Sequence, residues 1–366
     1  MKFTAKTKDV ANALKQAAYC LGSKAIVPIL NNALFEASGD GFVTVTCTDL
    51  YQRITASFPA EVEAPAKTTL PAKKLLSILN NLTSADITFD TKDNHHTAII
   101  CGTTQIDICG LDVADFPDKT EVEPETSFAI ETKEFAELIR HGGYAVSTDD
   151  GRKVLTGVLL DVDSNGIIAV ISTDGKRLAI AEKITDIQFE TRKQYIIPAA
   201  VVATLGKLKG DNIKLKLSEK YITAEVEDVT LSGKLVEGNY PNWRQIIPAD
   251  TKNKAVINSS VLLAKLAIVS QMVGDDNKAC FVFGANKIEF KTQSNDGSIL
   301  DSMEIEFQPQ DDKPIMLMFN PAFIAAAVTN CGDGDFTFCF NNEMSPCLFD
   351  FGINVKAIVM PIRNKQ

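Results

Sequence analysis

The stretch FTAKTKDVANALKQAAY at residues 3–19 decides the fold, because related stretches open each third of the chain. They are FAIETKEFAELIRHGGY at 128–144 and AVINSSVLLAKLAIVSQ at 255–271, so the starts lie 125 and 127 residues apart. Each begins with a strand-like run and continues with apolar residues at helical spacing. This self-similarity indicates three copies of one structural unit.

A hydroxyl residue stands at the same place in each copy, at Thr7, Thr132 and Ser259. The side chains of serine and threonine accept hydrogen bonds from the unpaired backbone amides at a helix start. The pattern therefore predicts that these three residues are the N-caps of the first helix in each copy.

Proline marks a second helix in each copy, in LPAKKLLSILNNL (70–82), IPAAVVATLGKL (197–208) and NPAFIAAAVTN (320–330). Proline suits the first helical turn, where its missing amide would have no partner. Alternating runs separated by turn-rich segments such as SGDG and DSNG fill the remainder and predict strands. Each copy is therefore predicted to hold two helices and many strands in the order β-α-β(n)-α-β(n).

The predicted fold class is α+β, with three repeated domains that each contain two helices and antiparallel sheets. Polar, proline-containing segments, TEVEPETS and PADTKNK, separate the copies. The predicted domain boundaries are 1–120, 127–248 and 249–366.

The composition is that of a soluble globular protein, since 45% of the 366 residues are hydrophobic, 23% are charged and the net charge is −10. No apolar run reaches the ~20 residues of a membrane helix. The start, MKFTAKTKDVANAL, lacks the apolar core of a signal peptide. The eight cysteines include no CxxC pair, so we expect reduced, buried thiols and a cytoplasmic protein.

No motif of a catalytic, metal or cofactor site survives inspection. The sequence GDGD at 332–335 lacks the third glycine of a dinucleotide fold. His95 and His96 follow a predicted hairpin turn, which favours solvated histidines over metal ligands. The run DVDSNG at 161–166 matches half of a calcium loop, but Ser172 stands where a glutamate is required, so a tight turn is favoured. We therefore expect no enzyme activity, no metal and no cofactor.

Positive charge is concentrated in the predicted helices, which together carry +6 and leave −16 for the rest of the chain. Lysines on amphipathic helices usually form only a solvated face, so this partition becomes informative if all the helices share one surface. The six segments are 8–18, 72–81, 133–144, 199–209, 260–271 and 321–330.

The sequence resembles the bacterial β sliding clamps, the processivity subunits of replicative DNA polymerases. The resemblance extends over the whole chain, and the order and spacing of its motifs make it specific. The motifs are MKFT (1–4), LPAKKL (70–75), ADFP (114–117), STDGKRLA (172–179), KLVEGNYPNWR (234–244), FNPAF (319–323) and VMPIR (359–363).

The resemblance implies both an architecture and a function. Proteins of this family are head-to-tail homodimers whose three domains per chain form a six-domain ring, with helices lining the hole and strands outside. The ring encircles duplex DNA, tethers the replicative polymerase, and serves as a docking hub for the clamp loader and repair proteins through short peptide motifs. Retention by topology requires neither an active site nor base readout.

Two other classes of protein stand beside this one, an enzyme of unrecognised type and a β-rich scaffold that does not bind nucleic acid. Three histidines and no activated nucleophile argue against the enzyme. A scaffold would not require basic helices within an acidic chain.

The family's motifs also imply DNA-binding residues. Lys24 and Lys73 would face DNA, and Arg152 and Lys153 lie in the matching loop. Family positions that contact DNA or are basic fall on Asp149, Ala199 and Ala200 here, which predicts weaker binding to DNA than in relatives. Helix position alone adds Lys8, Lys15, Lys74, Lys207 and Lys209.

In the family, a hydrophobic cleft between the second and third domains binds a short peptide with a glutamine and a Leu-Phe-like end. Gln245 replaces a basic family residue and Lys278 an aromatic one, which predicts different preferences at the rim. The alternative is that these residues are only domain core. The matching positions are Leu155, Thr173, Gly175, Lys176, Arg177, Leu178, Pro241, Gln245, Ile246, Asn320, Phe323, Met344, Pro346, Ile358, Met360, Pro361, Ile362 and Arg363.

The family's dimer interface joins an edge of the first domain to an edge of the third. Ile106 and Ile108 lie on one face of TTQIDICGL (103–111), and the third domain offers Met272 and Val273. The alternative is that the isoleucines fill the core of their own domain. The flanking charges are complementary. They belong to Lys73, Lys74, Asp301, Glu304 and Glu306.

Overall fold

The structure is a computed structural model that describes residues 1–22, 25–92, 94–120, 123–309, 313–352 and 354–363. Within these ranges each third of the chain holds two α-helices and eight β-strands in one repeated order. All strand pairings are antiparallel. The fold is α+β with three repeats, as the sequence predicts.

The elements of the three repeats correspond one to one. The first repeat comprises β1 Lys2–Lys6, α1 Thr7–Ala17, β2 Asn32–Ala37, β3 Phe42–Thr48, β4 Gln52–Ala64, β5 Ala66–Pro71, α2 Ala72–Leu79, β6 Asp86–Thr91, β7 His96–Cys101 and β8 Thr104–Cys109. The second comprises β9 Thr126–Glu131, α3 Thr132–Gly142, β10 Gly157–Val162, β11 Ile167–Thr173, β12 Arg177–Ile184, β13 Lys193–Pro198, α4 Ala199–Leu205, β14 Asn212–Leu217, β15 Tyr221–Val226 and β16 Val229–Lys234. The third comprises β17 Asn253–Asn258, α5 Ser259–Val269, β18 Ala279–Gly284, β19 Lys287–Ser294, β20 Gly297–Glu304, β21 Ile315–Phe319, α6 Pro321–Cys331, β22 Asp335–Phe340, β23 Cys347–Asp350 and β24 Val355–Val359.

The six predicted helices are all present, but α4 is shorter than predicted. It ends at Leu205, where Gly206 follows, because glycine favours the end of a helix. Lys207 and Lys209 therefore lie beyond the helix to which the sequence assigned them. The six helices as observed carry a net charge of +4.

The predicted N-caps are wrong by one residue. Thr7, Thr132 and Ser259 are the first helical residues, and all three are buried. The preceding residue caps α5, since the Asn258 side chain accepts from the Val261 amide at 3.2 Å. The hydroxyl residues still mark equivalent positions in the three repeats, because the backbone amide at each of them makes the same hydrogen bond.

The backbone amide at this position makes the same hydrogen bond in every repeat. Its acceptor is the carbonyl immediately before β6, β14 or β22, and the bond is 2.9 Å long each time. The three bonds run from Thr7 to Ala85, from Thr132 to Asp211 and from Ser259 to Gly334. Each bond ties the start of the first helix to the strand that follows the second helix.

Two predicted turns are confirmed. In 161–166 the Asp163 side chain accepts from the Asn165 amide at 2.9 Å, and Gly166 has φ +76°, which glycine adopts without steric cost. His95 has φ +63° in the turn between β6 and β7. All eight cysteines are free; five are buried as expected, whereas Cys280 and Cys331 are half-buried and Cys109 is exposed.

The chain forms two compact units, which are described separately. Unit 1 comprises 1–135 and 200–235, and unit 2 comprises 136–199 and 236–366. The middle repeat contributes to both units, because its strands pair with strands of each neighbouring repeat.

Unit 1 contains a twelve-stranded sheet with the order β8-β7-β6-β1-β4-β16-β15-β14-β9, from which β2, β3 and β5 branch. The long strand β4 joins the repeats, since its first part pairs with β16 and its last part with β1. Aromatic packing fills the interior: the rings of Phe3 and Phe89 stack at 4.8 Å, and Phe58 lies 6.0 Å from Phe3.

Unit 2 contains an eight-stranded sheet, β13-β10-β11-β12-β24-β23-β22-β17, and a four-stranded sheet, β20-β19-β18-β21. Its larger core is rich in phenylalanine. The Phe283 ring lies 5.3 Å from Phe338 and 4.7 Å from Phe340, and Phe338 lies 4.6 Å from Phe349. The buried residues of α5 and α6 pack into this core.

A buried carboxylate fastens β10 to the segment that carries Trp243. Asp161, with 1% of its side chain exposed, accepts hydrogen bonds from Arg192 at 2.6 and 2.9 Å and from Arg244 at 3.0 Å. The Arg244 guanidinium lies 4.1 Å above the Trp243 ring. Burial alone would raise the pKa of Asp161, but hydrogen bonds from the two arginines and Gln194 outweigh it and lower the pKa.

We predict that Asp161→Asn destabilises unit 2 by about 2 kcal/mol at neutral pH, because charge-assisted hydrogen bonds to a buried carboxylate are lost. The folded-state pKa of Asp161 is depressed, so its contribution is complete above the ordinary aspartate pKa near 4 and disappears as the pH falls through the folded value. Fluorescence of Trp243, the single tryptophan, reports urea unfolding of this unit.

The matched control is Asp186→Asn, which removes an exposed carboxylate from the same unit. Its urea midpoint should equal that of the parent protein at every pH. Equal midpoints for the two variants at neutral pH would contradict the stabilising role of Asp161.

Candidate functional site

A tight turn between β11 and β12 forms one wall of the candidate site. The Asp174 carboxylate accepts from the backbone amides of Lys176 and Arg177 at 2.8 and 3.0 Å. The Thr173 hydroxyl donates to the Arg177 carbonyl at 2.6 Å and accepts from the Gly175 amide at 3.0 Å. Gly175 has φ +86°, a conformation that favours glycine. The turn is therefore held rigidly by its own polar side chains.

The C-terminal segment lies along this turn. Strand β24 pairs with β12, so that Ile358 faces Leu178. Beyond the strand, the Met360 amide donates to the Lys176 carbonyl at 2.9 Å, and the Ile362 amide donates to the Met318 carbonyl at 2.7 Å. The VMPIR segment is thus fixed between the turn and β21, a strand of the second sheet of unit 2.

Apolar side chains form the floor beneath the turn. Leu155, Leu178 and Ile358 are 7%, 2% and 1% exposed and pack in one cluster with Tyr240, so for these three residues the alternative that the sequence left open, domain core, holds. The Tyr240 hydroxyl accepts from the Thr173 amide at 3.1 Å, and burial raises the pKa of Tyr240. Ile246 packs against the same cluster from the side and is half-buried.

An arginine is stacked on an aromatic ring at the rim. The Arg177 guanidinium lies 4.7 Å from the centre of the Phe323 ring, and its Nε donates to Asp174 at 3.0 Å. Phe323 projects from the first turn of α6, whose N-cap is Asn320. Met344, which the sequence also predicts as a cleft residue, is 54% exposed in the segment between β22 and β23.

All eighteen predicted cleft residues lie in unit 2, and the contacts above connect eleven of them. These are Leu155, Thr173, Gly175, Lys176, Arg177, Leu178, Ile246, Phe323, Ile358, Met360 and Ile362. The other seven occupy nearby positions in sequence: Pro241 follows Tyr240, Gln245 precedes Ile246, Asn320 caps α6, and Met344 and Pro346 precede β23. Pro361 and Arg363 belong to the C-terminal segment.

Of the two predicted departures at the rim, Gln245 is exposed in a 3-10 turn at Trp243–Ile246. Lys278 makes an ion pair of 2.8 Å with Asp276 within the segment before β18. Its ammonium group is therefore engaged locally.

The predicted DNA-binding residues are divided between helices and a loop. Lys74 is exposed in the first turn of α2, and the neighbouring Lys73 ammonium donates to the Gly22 carbonyl. Lys8 and Lys15 are exposed on α1, which packs beside α2. Lys24 lies outside the described residues.

The loop residues Arg152 and Lys153 are exposed in a 3-10 segment, Asp150–Thr156. Arg152 pairs with Asp149 at 3.2 Å, so the acidic departure at that position neutralises a predicted DNA contact. The Arg152 guanidinium also lies so close to Gly175 that a Cβ there would meet it at 2.7 Å. Arg152 therefore borders the cleft turn.

The predicted dimer residues differ in burial. Ile106 is half-buried on β8, an edge strand, but Ile108 is 4% exposed and fills the core of its own domain, which is the alternative that the sequence left open. Met272 and Val273 are half-buried just after α5. Asp301 is engaged by Lys265 at 2.8 Å, which weakens the predicted complementarity with Lys73 and Lys74.

The ranges that the structure describes contain no group of three or more His, Cys, Asp or Glu side chains placed to hold a metal ion. In the same ranges, no helix combines the length and the apolar content that crossing a bilayer requires.

Sequence reasoning missed the stacking of Arg177 on Phe323 and the hydrogen bond from the Thr173 amide to Tyr240. The sequence contains a signal for the position of Arg177, since Asp174 lies three residues before it across the turn and accepts a hydrogen bond from its side chain. The second joins residues that are 67 positions apart, and no local pattern connects them.

Two sequence models of one family match the chain. They describe the N-terminal domain of the DNA polymerase III beta subunit, which matches residues 1–120, and its central domain, which matches 129–242. The chain is 27% identical to the beta sliding clamp of Synechocystis sp., with 99% of each chain covered. It is 24% identical to the beta sliding clamp of Bacillus subtilis, covering 99% of this chain and 100% of that one.

Solved structures share the fold. The DNA polymerase III subunit beta of Pseudomonas aeruginosa superposes with a TM-score of 0.94 at 21% identity, with both chains covered completely. The DNA polymerase sliding clamp of Bacillus subtilis gives 0.91 at 23% identity, covering 100% of this chain and 99% of that one. The repeated architecture, the matched domains and the full-length relatives agree, and the chain belongs to the DNA polymerase III beta subunit family, the bacterial β sliding clamps.

Proposed function

We propose that this protein is a DNA sliding clamp: a ring-shaped homodimer that encircles duplex DNA and tethers the replicative polymerase. The observation that carries the proposal is the threefold architecture, in which each repeat places two helices beside sheets that end in edge strands. A clamp works by topology, so it requires a closed ring and weak, sequence-independent attraction for phosphates. It is a non-catalytic accessory subunit of the polymerase holoenzyme and acts in the cytoplasm.

The domains of this clamp are 1–120, 127–248 and 249–366. The repeated backbone hydrogen bond supports this division, because one copy falls in each of these ranges. Within unit 1, β4 of the first range pairs with β16 of the second, and within unit 2, β12 of the second range pairs with β24 of the third.

The dimer forms through two sheet edges, β8 of one protomer and β20 of its partner. Both strands end the order of their sheets, and β20 exposes 71% of Leu300. An exposed strand edge favours pairing with another strand. Ile106 beside Met272 and Val273 supplies the apolar contact, whereas the buried Ile108 supports its own domain.

We predict that Ile106→Asp combined with Met272→Asp gives a folded monomer of 39.8 kDa in light scattering, because two charges would be buried at the interface. Ile184→Asp is the matched control, since Ile184 is 69% exposed on β12. An unchanged dimer mass in the double variant would remove this interface.

The helices face the encircled DNA, and their exposed lysines attract its phosphates. The adjacent α1 and α2 present Lys8, Lys15 and Lys74. Lys153 adds a charge from the 3-10 segment, while the ion pair of Arg152 with Asp149 reduces the attraction there. The sparse charge suits a ring that slides.

We predict that changing Lys24, Lys73 and Lys153 to glutamine weakens retention on DNA without changing the dimer mass. The slope of the logarithm of the binding constant against the logarithm of salt concentration should fall by up to about one unit for each lysine that contacts a phosphate. Retention is measured on closed circular DNA after loading, with linearised DNA as the topological comparison.

The control changes Lys214, Lys220 and Lys254, which are exposed on strands or a strand turn, to glutamine. It removes the same charge and should leave retention intact. A strong preference for one DNA sequence, or equal losses in the two triple variants, would overturn the assignment.

The cleft of unit 2 binds the short peptides through which polymerases, the clamp loader and repair proteins dock. The half-buried side chains of Ile246, Phe323, Met360 and Ile362 and the exposed Met344 offer the apolar area, and the buried Leu155, Leu178 and Ile358 support them from the core. Burial of even ~200 Å2 of apolar peptide surface supplies about 5 kcal/mol before ordering costs. Methionine side chains repack readily, which lets one cleft accept several partners.

We predict that deleting Met360–Gln366 abolishes binding of a labelled peptide with a glutamine and a Leu-Phe end, because Met360 and Ile362 lie along the cleft turn and β21. Met344→Glu should weaken binding about tenfold, which corresponds to ~1.4 kcal/mol. Fluorescence anisotropy measures both effects, and light scattering checks that the dimer remains intact.

Met316→Glu is the matched control, since Met316 is 61% exposed on β21 and lies outside the cleft set. Its affinity for the peptide should equal that of the parent protein. Survival of peptide binding after the deletion would place the pocket elsewhere.

A further inference from the structure

The turn that walls the cleft of unit 2 is built a second time in unit 1. There the Asp49 carboxylate accepts from the backbone amides of Tyr51 and Gln52 at 3.0 and 2.8 Å, as Asp174 does in unit 2. The Thr48 hydroxyl donates to the Gln52 carbonyl at 2.8 Å and accepts from the Leu50 amide at 3.1 Å. Each bond has its counterpart at 173–177.

The opposite wall is repeated as well. The Lys234 amide donates to the Tyr51 carbonyl at 2.9 Å, just as the Met360 amide donates to Lys176 at 2.9 Å. Ser232 of β16 faces Arg53 of β4, in the place where Ile358 faces Leu178. Unit 1 therefore contains the backbone frame of a second cleft.

The side chains on this second frame are polar instead of apolar. Arg53 stands where unit 2 has Leu178, Ser232 where it has Ile358, and Lys234 where it has Met360. The Arg53 guanidinium lies 5.5 Å from the centre of the Phe116 ring and donates to the Pro117 carbonyl, so it is held in place. Asp118 and Lys119 also line the cavity, whose volume is about 220 Å3.

The mouth of this cleft contains a strained residue. Leu50 has φ +75°, whereas its counterpart Gly175 has φ +86° without a side chain to clash. A bulky residue at positive φ is unfavourable and persists where the position has a function. Leu50 is 61% exposed and Tyr51 is 71% exposed, so the packing of the fold does not explain the leucine.

We propose that this second cleft binds a short acidic peptide segment of a partner protein, with a carboxylate held by Arg53 and Lys234 and an apolar side chain against Leu50 and Tyr51. Arginine binds carboxylates through paired hydrogen bonds, and a lysine at the rim adds attraction. The exposed leucine and tyrosine supply apolar contact beside the charges. The proposal extends the role of the protein as a docking hub, but it does not depend on peptide binding in unit 2.

A peptide fits this cleft better than nucleic acid does. Asp118 lines the cavity together with the cations, and a continuous phosphate backbone would meet that negative charge. The cavity accommodates one or two side chains, and the tyrosine hydroxyls of Tyr51 and Tyr221 can donate to a carboxylate.

The test uses the intact protein and a fluorescein-labelled peptide that alternates glutamate and leucine. Its twin carries glutamine in place of every glutamate. Anisotropy should show that the acidic peptide binds at least about tenfold more tightly than its twin. Lys234→Glu should abolish that difference, and Leu50→Gly should weaken binding while the melting temperature stays the same or rises.

Lys214→Glu is the matched control, because it makes the same charge change on an exposed strand of the same unit. It should leave the affinity unchanged. The deletion of Met360–Gln366 should also leave it unchanged, which separates this cleft from the one in unit 2.

Four results would each overturn the proposal: equal binding of the peptide and its glutamine twin, equal losses in Lys234→Glu and Lys214→Glu, loss of binding after the C-terminal deletion, or undiminished binding in Leu50→Gly. Displacement of the peptide by a duplex oligonucleotide, in a way that Lys234→Glu abolishes, would assign the cleft to nucleic acid instead.

Discussion

Each of the three repeats of this clamp contains one equivalent backbone hydrogen bond, on which the packing of its helices and sheet depends. The amide of the first residue of α1, α3 or α5 donates at 2.9 Å to the carbonyl before the strand that follows the second helix. The residue at this point is buried, and its neighbours leave little room, since a Cβ on Gly332 would meet the Ser259 hydroxyl at 2.6 Å. A small side chain is therefore required, and the backbone pairing fixes how helix, sheet and second helix meet. The remaining strands extend from this junction.

The same junction shows how far the sequence could predict the structure. Period and alternation predicted the fold class, the three repeats and all six helices, because these depend on local spacing. The hydroxyl residues at Thr7, Thr132 and Ser259 were recognised as a repeated signal but interpreted as caps, because their burial depends on packing against distant strands. Ile108 illustrates the same limit: alternation places it on one face of β8 with Ile106, but only the tertiary structure shows that Ile108 is core while Ile106 is half-buried. In the candidate site, the motifs identified the turn and the C-terminal segment, whereas the Arg177–Phe323 stacking depends on two elements brought together by folding.

The two clefts show that the frame and its chemistry are separable. Residues 48–53 and 173–178 make corresponding hydrogen bonds around Asp49 and Asp174, so their backbones follow one path. The shared bonds join the Asp49 and Asp174 carboxylates to backbone amides, so they are the same whichever residue follows at Arg53 or Leu178. Exchange of leucine, isoleucine and methionine for arginine, serine and lysine therefore changes the chemistry of the surface while the backbone hydrogen bonds are kept. A protein with internal repeats can in this way present surfaces of different chemistry on one repeated backbone conformation.

Net charge also differs between parts of the chain. The chain carries −10 overall, yet its helices carry +4, so the rest of the chain carries −14 and the helices are the more favourable surface for phosphates. Several cations are also engaged within the protein, as Arg152 is by Asp149 and Lys265 by Asp301. A ring that is retained by topology gains nothing from tight binding to DNA, because each strong phosphate contact would have to be broken for every step along the duplex. The proposed weak attraction at the helices and the proposed contacts in the clefts both follow from one requirement, since a clamp must move on DNA while its partners stay attached to it.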